Sequence, residues 1–235
     1  MRTQEKHATR FRSIQTSLLF VIVPAVIISM AVLSLMGYLS SKAIIQTSAG
    51  NEMSQCLSVA MGSIEMSLSN NRMVAETMAR GVEAVQRQAV KGEQTASDWD
   101  AAAYQEILTS FVGSNPETFG GGIWFEPYQY RPEQRYFSPY CMRQNGAVTY
   151  VDNYSLGEGV YYTDQDWYTN AANTTQKSVW SAPYYDEFAQ ISMVTSSAPI
   201  YDETGRLLGV ATADIDLTQM QQMVLSLDVV ANLSD

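Results

Sequence analysis

A run of 22 uncharged residues, Leu18 to Leu39, constrains this chain more than any other feature of its sequence. As an α-helix the run would be about 33 Å long, which is enough to cross a hydrocarbon core of roughly 30 Å. A cleavable signal peptide is the alternative, but its apolar region usually has only about 7–15 residues. We therefore expect residues 17–39 to form an uncleaved transmembrane helix.

The segment before this run, residues 1–16, is basic. Arg2, Lys6, Arg10 and Arg12 stand there against a single acid, Glu5. Because an excess of Lys and Arg keeps a flanking segment in the cytoplasm, this tail is expected to be cytoplasmic and the remainder extracytoplasmic. Without the tail, 10 Lys and Arg remain against 23 Asp and Glu, a net charge of −13. Such acidity disfavours nucleic acids and favours cations as ligands, although solubility alone would also explain it.

Residues 40–97 follow with a helical pattern that lacks proline. Their apolar side chains recur mostly at steps of three, four and seven, at Leu57, Met61, Ile64, Leu68, Ala75, Met78, Val82 and Val85. This period predicts one long amphipathic helix that continues out of the membrane. Its stripe would either contact a second copy of the chain in a homodimer or pack entirely within one molecule. Cys56 lies in this pattern 85 positions from Cys141, a spacing that identifies no disulfide or metal site.

The character of the sequence changes in residues 98–217. A break at Gly92–Ser97 precedes a second, shorter helix predicted over Trp99–Val112. The predicted strands start near Phe119–Phe125 and continue at Tyr136–Cys141, Ala147–Val151, Ile191–Tyr201 and Leu207–Ile215. Asn145-Gly146 is a strong hairpin signal. A last helix is expected over Thr218–Leu227 with Thr218 as its N-cap, so the fold class is α+β.

Four motifs in the second half of the chain have an order and spacing that resemble a known family. They are Asp166-Trp167-Tyr168, Pro183-Tyr184-Tyr185-Asp186, Ala198-Pro199-Ile200-Tyr201 and Gly209-Val210-Ala211-Thr212-Ala213-Asp214-Ile215-Asp216-Leu217. This arrangement resembles the membrane-distal half of a double Cache domain, the extracellular sensor of bacterial chemoreceptors and sensor kinases. The resemblance implies a transmembrane helix that continues into a long helix packed on an antiparallel, PAS-like sheet.

The resemblance covers residues 17–228 and divides the chain accordingly. Residues 40–97 would form the stalk helix, 98–217 the ligand-binding module and 218–235 the start of a connecting helix. In the family a membrane-proximal module, a second membrane helix and an output domain follow. The sequence is therefore expected to be a fragment of a receptor or to work with separate partners.

The resemblance also implies which residues surround a ligand. Trp167 and Tyr168 match an aromatic pair, and Asp186 and Asp214 match two acids that hold an ammonium group in the amino-acid-binding branch. Where that branch carries the Arg that holds the ligand carboxylate, this chain has Gln165. A neutral amide cannot replace the two charge-assisted hydrogen bonds of an Arg fork. The ligand is therefore expected to be a cationic amine rather than an amino acid.

Further candidates for this site are Tyr162, Tyr184 and Asp166, the tyrosines as ring faces for a cation. Other interpretations stay open: Trp167 and Tyr168 as core aromatics, and Asp186 as the cap of a turn. Asp214 lies in an apolar run, where an acid needs a partner. Asp202, Glu203 and Asp216 are expected to be solvated.

Catalysis has little support in the sequence, and no enzyme activity, cofactor or metal is predicted. The only histidine, His7, lies in the predicted cytoplasmic tail, so a histidine triad or a histidine metal cluster in the outer domain is excluded. Gly120-Gly121-Gly122 lacks the Lys-Ser/Thr of a phosphate loop. The predicted function is a membrane-anchored sensor of a small molecule. The alternative is a membrane-anchored structural or interaction module without a small ligand, with a hydrolase as a distant third.

Overall fold

The computed structural model describes residues 14–91, 101–151, 154 and 159–232. The chain divides into two compact units, residues 1–57 and 58–235. The predicted tail up to residue 13 and the predicted break at 92–97 lie outside the described residues. The residue ranges given above for the tail, stalk and ligand-binding module remain predictions.

The first unit contains the beginning of helix α1, Ile14–Lys91. Among the described residues, α1 is the one helix that is long and apolar enough to cross a membrane, judged by length and composition. The helix is thus a candidate membrane span, and its bounds at residues 17–39 and the choice of an uncleaved anchor over a signal peptide remain predictions.

The second unit combines the remainder of α1 with an antiparallel sheet. Its other helices are α2 (Ala101–Ser114), α3 (Asp166–Ala172) and α4 (Leu217–Asn232), with a 3₁₀ turn at Tyr162–Asp164. The strands are β1 (Gly120–Phe125), β2 (Tyr140–Gln144), β3 (Ala147–Val151), β4 (Val179–Trp180), β5 (Tyr184–Asp186), β6 (Ile191–Tyr201) and β7 (Leu207–Asp216). The order across the sheet is β3-β2-β1-β7-β6-β4, and β5 also pairs with β6. This is the α+β fold with a long helix that the sequence predicted.

Helices α1 and α2 cover one face of the sheet. Because side chains alternate between the faces of a strand, Ala211 and Ala213 of β7 join α1 residues such as Met78 in one apolar cluster. Ala75, Met78 and Val82 of the predicted stripe are fully buried there. Met61, from the same stripe, is exposed. The part of the stripe near the sheet is therefore intramolecular core.

The opposite face of the sheet carries a second, aromatic cluster. It contains Trp124, Tyr140, Tyr154, Tyr162, Trp167 and Tyr168, together with Phe119, Met142, Ala171, Met193 and Val210. Helix α3 packs on this face through Trp167, Tyr168 and Ala171. The second face is thus the one on which the motif residues meet.

Strand β2 begins later than the sequence predicted. The carbonyls of Phe137 and Pro139 accept hydrogen bonds from β1, but Pro139 has no N–H to donate to a ladder, so the regular strand starts at Tyr140. The hairpin turn is confirmed, since Asn145 and Gly146 both have positive φ, 52° and 81°, as the tight turn requires.

The end of β7 corrects one expectation about an acidic residue. Asp216 is buried, not solvated, and its Oδ1 accepts the backbone N–H groups of Thr218 at 2.7 Å and Gln219 at 3.4 Å. These bonds satisfy two donors at the start of α4. Asp216 therefore caps this helix, the role that the sequence assigned to Thr218.

Candidate ligand-binding site

Strand register brings the polar residues of the aromatic face into one row. Asp214 of β7 lies between Thr195 of β6 and Gly120 of β1. Thr212, two residues earlier on the same face, pairs with Gly122, which in turn pairs with Tyr140 of β2. The alternation of β7 thus places two polar side chains on this face and alanines on the other.

A small cavity lies above this row. The residues that line it come from β1, β2, β5, β6, β7, α3 and the segment after β3, namely Trp124, Tyr140, Tyr154, Trp167, Tyr184, Asp186, Met193, Thr195, Thr212 and Asp214. Its volume is about 10 Å³, roughly the room that one water molecule needs. None of the described residues that line it is Lys, Arg or His.

Asp214 lies at the floor of the cavity and is only 3% exposed. Its Oδ2 accepts a hydrogen bond of 2.7 Å from the Tyr140 hydroxyl, and its Oδ1 accepts one of 2.7 Å from the Thr195 hydroxyl. Burial raises the pKa of this carboxyl to about 7, and the charge of Asp186 adds to the rise, although the two hydroxyls oppose it. A carboxyl in this position changes charge near neutral pH, and a cation beside it would favour the ionised form.

Asp186 is the second acid of the cavity and is also buried. Its Oδ1 accepts hydrogen bonds from the Tyr154 hydroxyl at 2.5 Å and from the backbone N–H of Ala189 at 2.7 Å. Through the bond to Ala189, Asp186 caps the turn that follows it, as one of the interpretations of the sequence expected. The same carboxyl also lines the cavity, so the two interpretations coexist.

The rings around the cavity are held by their own contacts. The indoles of Trp124 and Trp167 pack with centroids 4.7 Å apart, and the Trp124 Nε1–H donates to Thr212 Oγ1 at 2.8 Å. The Tyr184 hydroxyl lies 2.8 Å from Thr195 Oγ1, and burial raises the pKa of Tyr184 well above its ordinary value. Tyr184 therefore stays neutral and offers its ring face and hydroxyl to the cavity.

Two glycines of the Gly120-Gly121-Gly122 run leave room for aromatic rings of this site. A Cβ on Gly120 would lie 2.1 Å from the Tyr140 hydroxyl, and one on Gly122 would lie 2.8 Å from the Trp124 indole. Glycines at these two positions let both rings lie against the sheet. The run shapes the cavity floor.

Four of the seven residues predicted for the site line the cavity together: Trp167, Tyr184, Asp186 and Asp214. Three do not. The Tyr168 hydroxyl donates to Glu126 Oε1 at 2.8 Å, and the Tyr162 hydroxyl donates to the Phe125 carbonyl at 2.5 Å. Asp166 is exposed in the first turn of α3.

Gln165, which the resemblance places where the amino-acid-binding branch carries an Arg, does not line the cavity either. Its side chain donates to the Tyr161 carbonyl at 3.3 Å.

Sequence reasoning missed six lining residues: Trp124, Tyr140, Tyr154, Met193, Thr195 and Thr212. For Thr212 a signal was present, because it lies two residues before Asp214 in a strand and must share its face. Thr195 and Tyr140 reach the site only through strand pairing, which a single sequence does not give.

Comparison with known proteins agrees with this architecture. Residues 104–222 match the family described as methyl-accepting chemotaxis protein-like, first PDC sensor domain. The methyl-accepting chemotaxis protein McpC of Bacillus subtilis is 39% identical over 62 residues, which are 26% of this chain and 9% of that protein.

Two solved structures share the fold. The extracellular domain of the histidine kinase mmHK1S-Z3 matches with a TM-score of 0.52 and 23% identity, over 66% of this chain and 54% of that domain. The ligand-binding domain of the Campylobacter jejuni chemoreceptor Tlp3, in complex with L-valine, matches with a TM-score of 0.53 and 17% identity, over 72% of this chain and 60% of that one. The chain thus spans little more than half the length of these domains.

Proposed function

The chain belongs to the family of methyl-accepting chemotaxis protein-like first PDC sensor domains, and from this premise we propose that its cavity binds a small cationic amine. One observation carries the proposal: two buried acids and five aromatic residues line the cavity, and none of the described lining residues is basic. An amine would gain an ion pair with Asp186 or Asp214. It would also gain cation–π contacts, each worth about 0.5–2 kcal/mol.

An ordinary amino acid fits this cavity less well. Its carboxylate would lie among two acids, with no Arg or Lys among the lining residues that the structure describes. A buried charge without a partner costs several kcal/mol. The Tlp3 domain is described in complex with L-valine, but at 17% identity that likeness concerns the fold alone. The ligand of this chain must be argued from its own residues.

We place Trp167, Tyr184, Asp186 and Asp214 in contact with the ligand. For Tyr162, Tyr168 and Asp166, a contact would require their side chains to leave the places they occupy in this structure. The basic tail supports a cytoplasmic N-terminus, which would set the sensor outside the cell.

Calorimetry on the full chain in detergent micelles tests the ligand class. We expect heats of binding from a panel of primary, polyvalent and quaternary amines and none from α-amino acids or organic acids. Replacement of Trp167 or Asp214 by Ala should abolish the binding while leaving the circular dichroism spectrum unchanged. Binding of amino acids alone would overturn the proposal.

A second observation favours a homodimer through the long helix, the partner that the sequence predicted. Val59, Met66 and Met73 of α1 are exposed and stand seven residues apart, the spacing of a helix–helix seam. Met61 is also exposed but lies about 200° around the helix from Val59, at 100° per residue. We propose a homodimer through the first face.

Sedimentation equilibrium of the full chain in density-matched detergent tests the dimer. Met66→Lys combined with Met73→Lys should shift the chain from dimer to monomer, whereas Met61→Lys should not. Equal behaviour of the two variants would rule out this face.

A further inference from the structure

The cavity is too small for the ligand class proposed for it. With a volume of about 10 Å³ it has room for roughly one water molecule, and a closely packed interior does not yield space without a displacement. If the proposed function holds, one wall of the cavity must move to admit an amine. The structure distinguishes a wall that moves at low cost from walls that do not.

Most of the cavity is built on the centre of the sheet. Tyr140, Trp124, Thr212 and Asp214 lie on β2, β1 and β7, which pair with neighbours on both sides. Thr195 lies on the 11-residue strand β6. Displacement of any of these residues would break a ladder of backbone hydrogen bonds.

The wall formed by Tyr184 and Asp186 is different. Both belong to β5, which has three residues and in the described part of the chain pairs only with β6. In the hairpin of residues 184–191, Tyr185 is 60% exposed and Phe188 43% exposed. Gln190 has a positive φ of 57°, a conformation that is costly for a residue other than glycine. Short pairing, exposure and strain are the marks of a segment that opens at low free energy.

Two side chains of the hairpin fasten it: the Tyr184 hydroxyl lies 2.8 Å from Thr195 Oγ1 on β6, and Asp186 makes the second contact. Asp186 Oδ1 accepts both the Tyr154 hydroxyl, which lies outside the hairpin, and the Ala189 N–H within it. The Phe188 ring packs on the Tyr154 ring at 4.4 Å between centroids. The contact with Tyr154 therefore ties the hairpin to a segment outside β5 and β6, whereas the contact between Tyr184 and Thr195 lies within that strand pair.

We infer that the hairpin of residues 184–191 is the movable wall of the cavity, closed by the hydrogen bond from Tyr154 to Asp186. This inference rests on the proposed function for its purpose, since it explains how an amine enters. An arriving cation would meet Asp186 at the edge of the opening and replace the Tyr154 hydroxyl as its partner. The hairpin then closes over the ligand through Tyr184 and Phe188.

Hydrogen exchange of the ligand-free full chain in detergent micelles tests the mobility of the wall. Backbone amides of residues 184–191 should exchange faster than those of β7. Tyr154→Phe should raise the exchange rates of the hairpin amides by about tenfold, the effect of losing one hydrogen bond to a carboxylate. The exchange rates of the β7 amides should not change. Tyr140→Phe is the matched control, because it removes a tyrosine–aspartate bond on the sheet centre and should leave the hairpin unaffected.

Access to the cavity is measured separately with a cationic thiol reagent, aminoethyl methanethiosulfonate. Met193 lines the cavity and pairs with Tyr184, so Met193→Cys places a thiol behind the hairpin. Its modification, followed by mass spectrometry of that peptide, should be about tenfold faster when combined with Tyr154→Phe. Tyr140→Phe should not change the rate.

A hairpin protected as strongly as β7, or one unaffected by Tyr154→Phe, would overturn the inference. Neither measurement needs the natural ligand. A mobile hairpin in a protein that binds no amine would refute the proposed function alone, and amine binding with a rigid hairpin would refute this inference alone.

Discussion

Tyr140 and Asp214 are hydrogen-bonded across an intervening strand: the Tyr140 hydroxyl on β2 donates to Oδ2 of Asp214 on β7 over 2.7 Å, and β1 lies between them. The tyrosine ring can cross β1 because Gly120, the residue beneath its hydroxyl, has no side chain. One glycine thus determines whether the Tyr140 hydroxyl can reach the buried acid.

Gly120→Ala should therefore destabilise the protein. The new Cβ would lie 2.1 Å from the Tyr140 hydroxyl, so the ring must move and its bond to Asp214 must break. Overpacking and a lost bond to a charged group together predict a loss of about 2–4 kcal/mol in the free energy of unfolding. Chemical denaturation measures it. Gly113→Ala is the control: a Cβ there meets nothing within 4 Å, and alanine in a helix should stabilise by up to about 1 kcal/mol.

Asp214 should make stability depend on pH in a defined direction. Its pKa in the fold is about 7, above the ordinary 3.8, so the folded state holds a proton that the unfolded state releases. The stabilisation of the fold by this proton is fully present below about pH 4 and is lost as pH rises through 7. Asp214→Asn should remove this dependence. Relative to the native chain, the free energy of unfolding of the variant should rise by up to about 4 kcal/mol between pH 4 and 7.

Thermal unfolding of both proteins in steps of half a pH unit measures this difference. A difference between the two that stays constant from pH 4 to 8 would mean that Asp214 is ionised throughout.

The proposed ligand should reverse the charge state of the same residue. A bound amine favours ionised Asp214, so its affinity should fall about tenfold for each pH unit below 7 and level off above it. Calorimetry at pH 6 in buffers of different ionisation enthalpy should detect proton release on binding. If affinity is independent of pH between 5.5 and 8, the amine does not sit beside Asp214.

The fold was largely predictable because its signals are local. The uncharged run, the helical period and the Asn145-Gly146 turn each depend on neighbouring residues, and each appears in the structure. Strands β4 and β5 were missed, because segments of two and three residues are too short to show a period.

The site was predictable only in part. Asp214 and Trp167 stood in motifs, whereas Thr195 and Tyr140 enter through pairing between strands that are distant in sequence. The adjacent residues Trp167 and Tyr168 could not be distinguished by sequence. On α3, Trp167 lines the cavity while Tyr168 is directed to Glu126.

The structure separates two acids that the sequence proposed for the site, Asp186 as a match to the family's acids and Asp166 as a further candidate. Asp186 is buried at the cavity, and Asp166 is exposed on α3. Asp186→Asn should weaken amine binding by about 30-fold or more, the usual effect of removing one partner of a buried charge pair. Asp166→Asn makes the same chemical change 20 positions earlier and should leave the dissociation constant within about twofold, because an exposed charge contributes little. Calorimetry on the two variants and the native chain decides between them, and equal losses would show that overall acidity, not this cavity, attracts the cation.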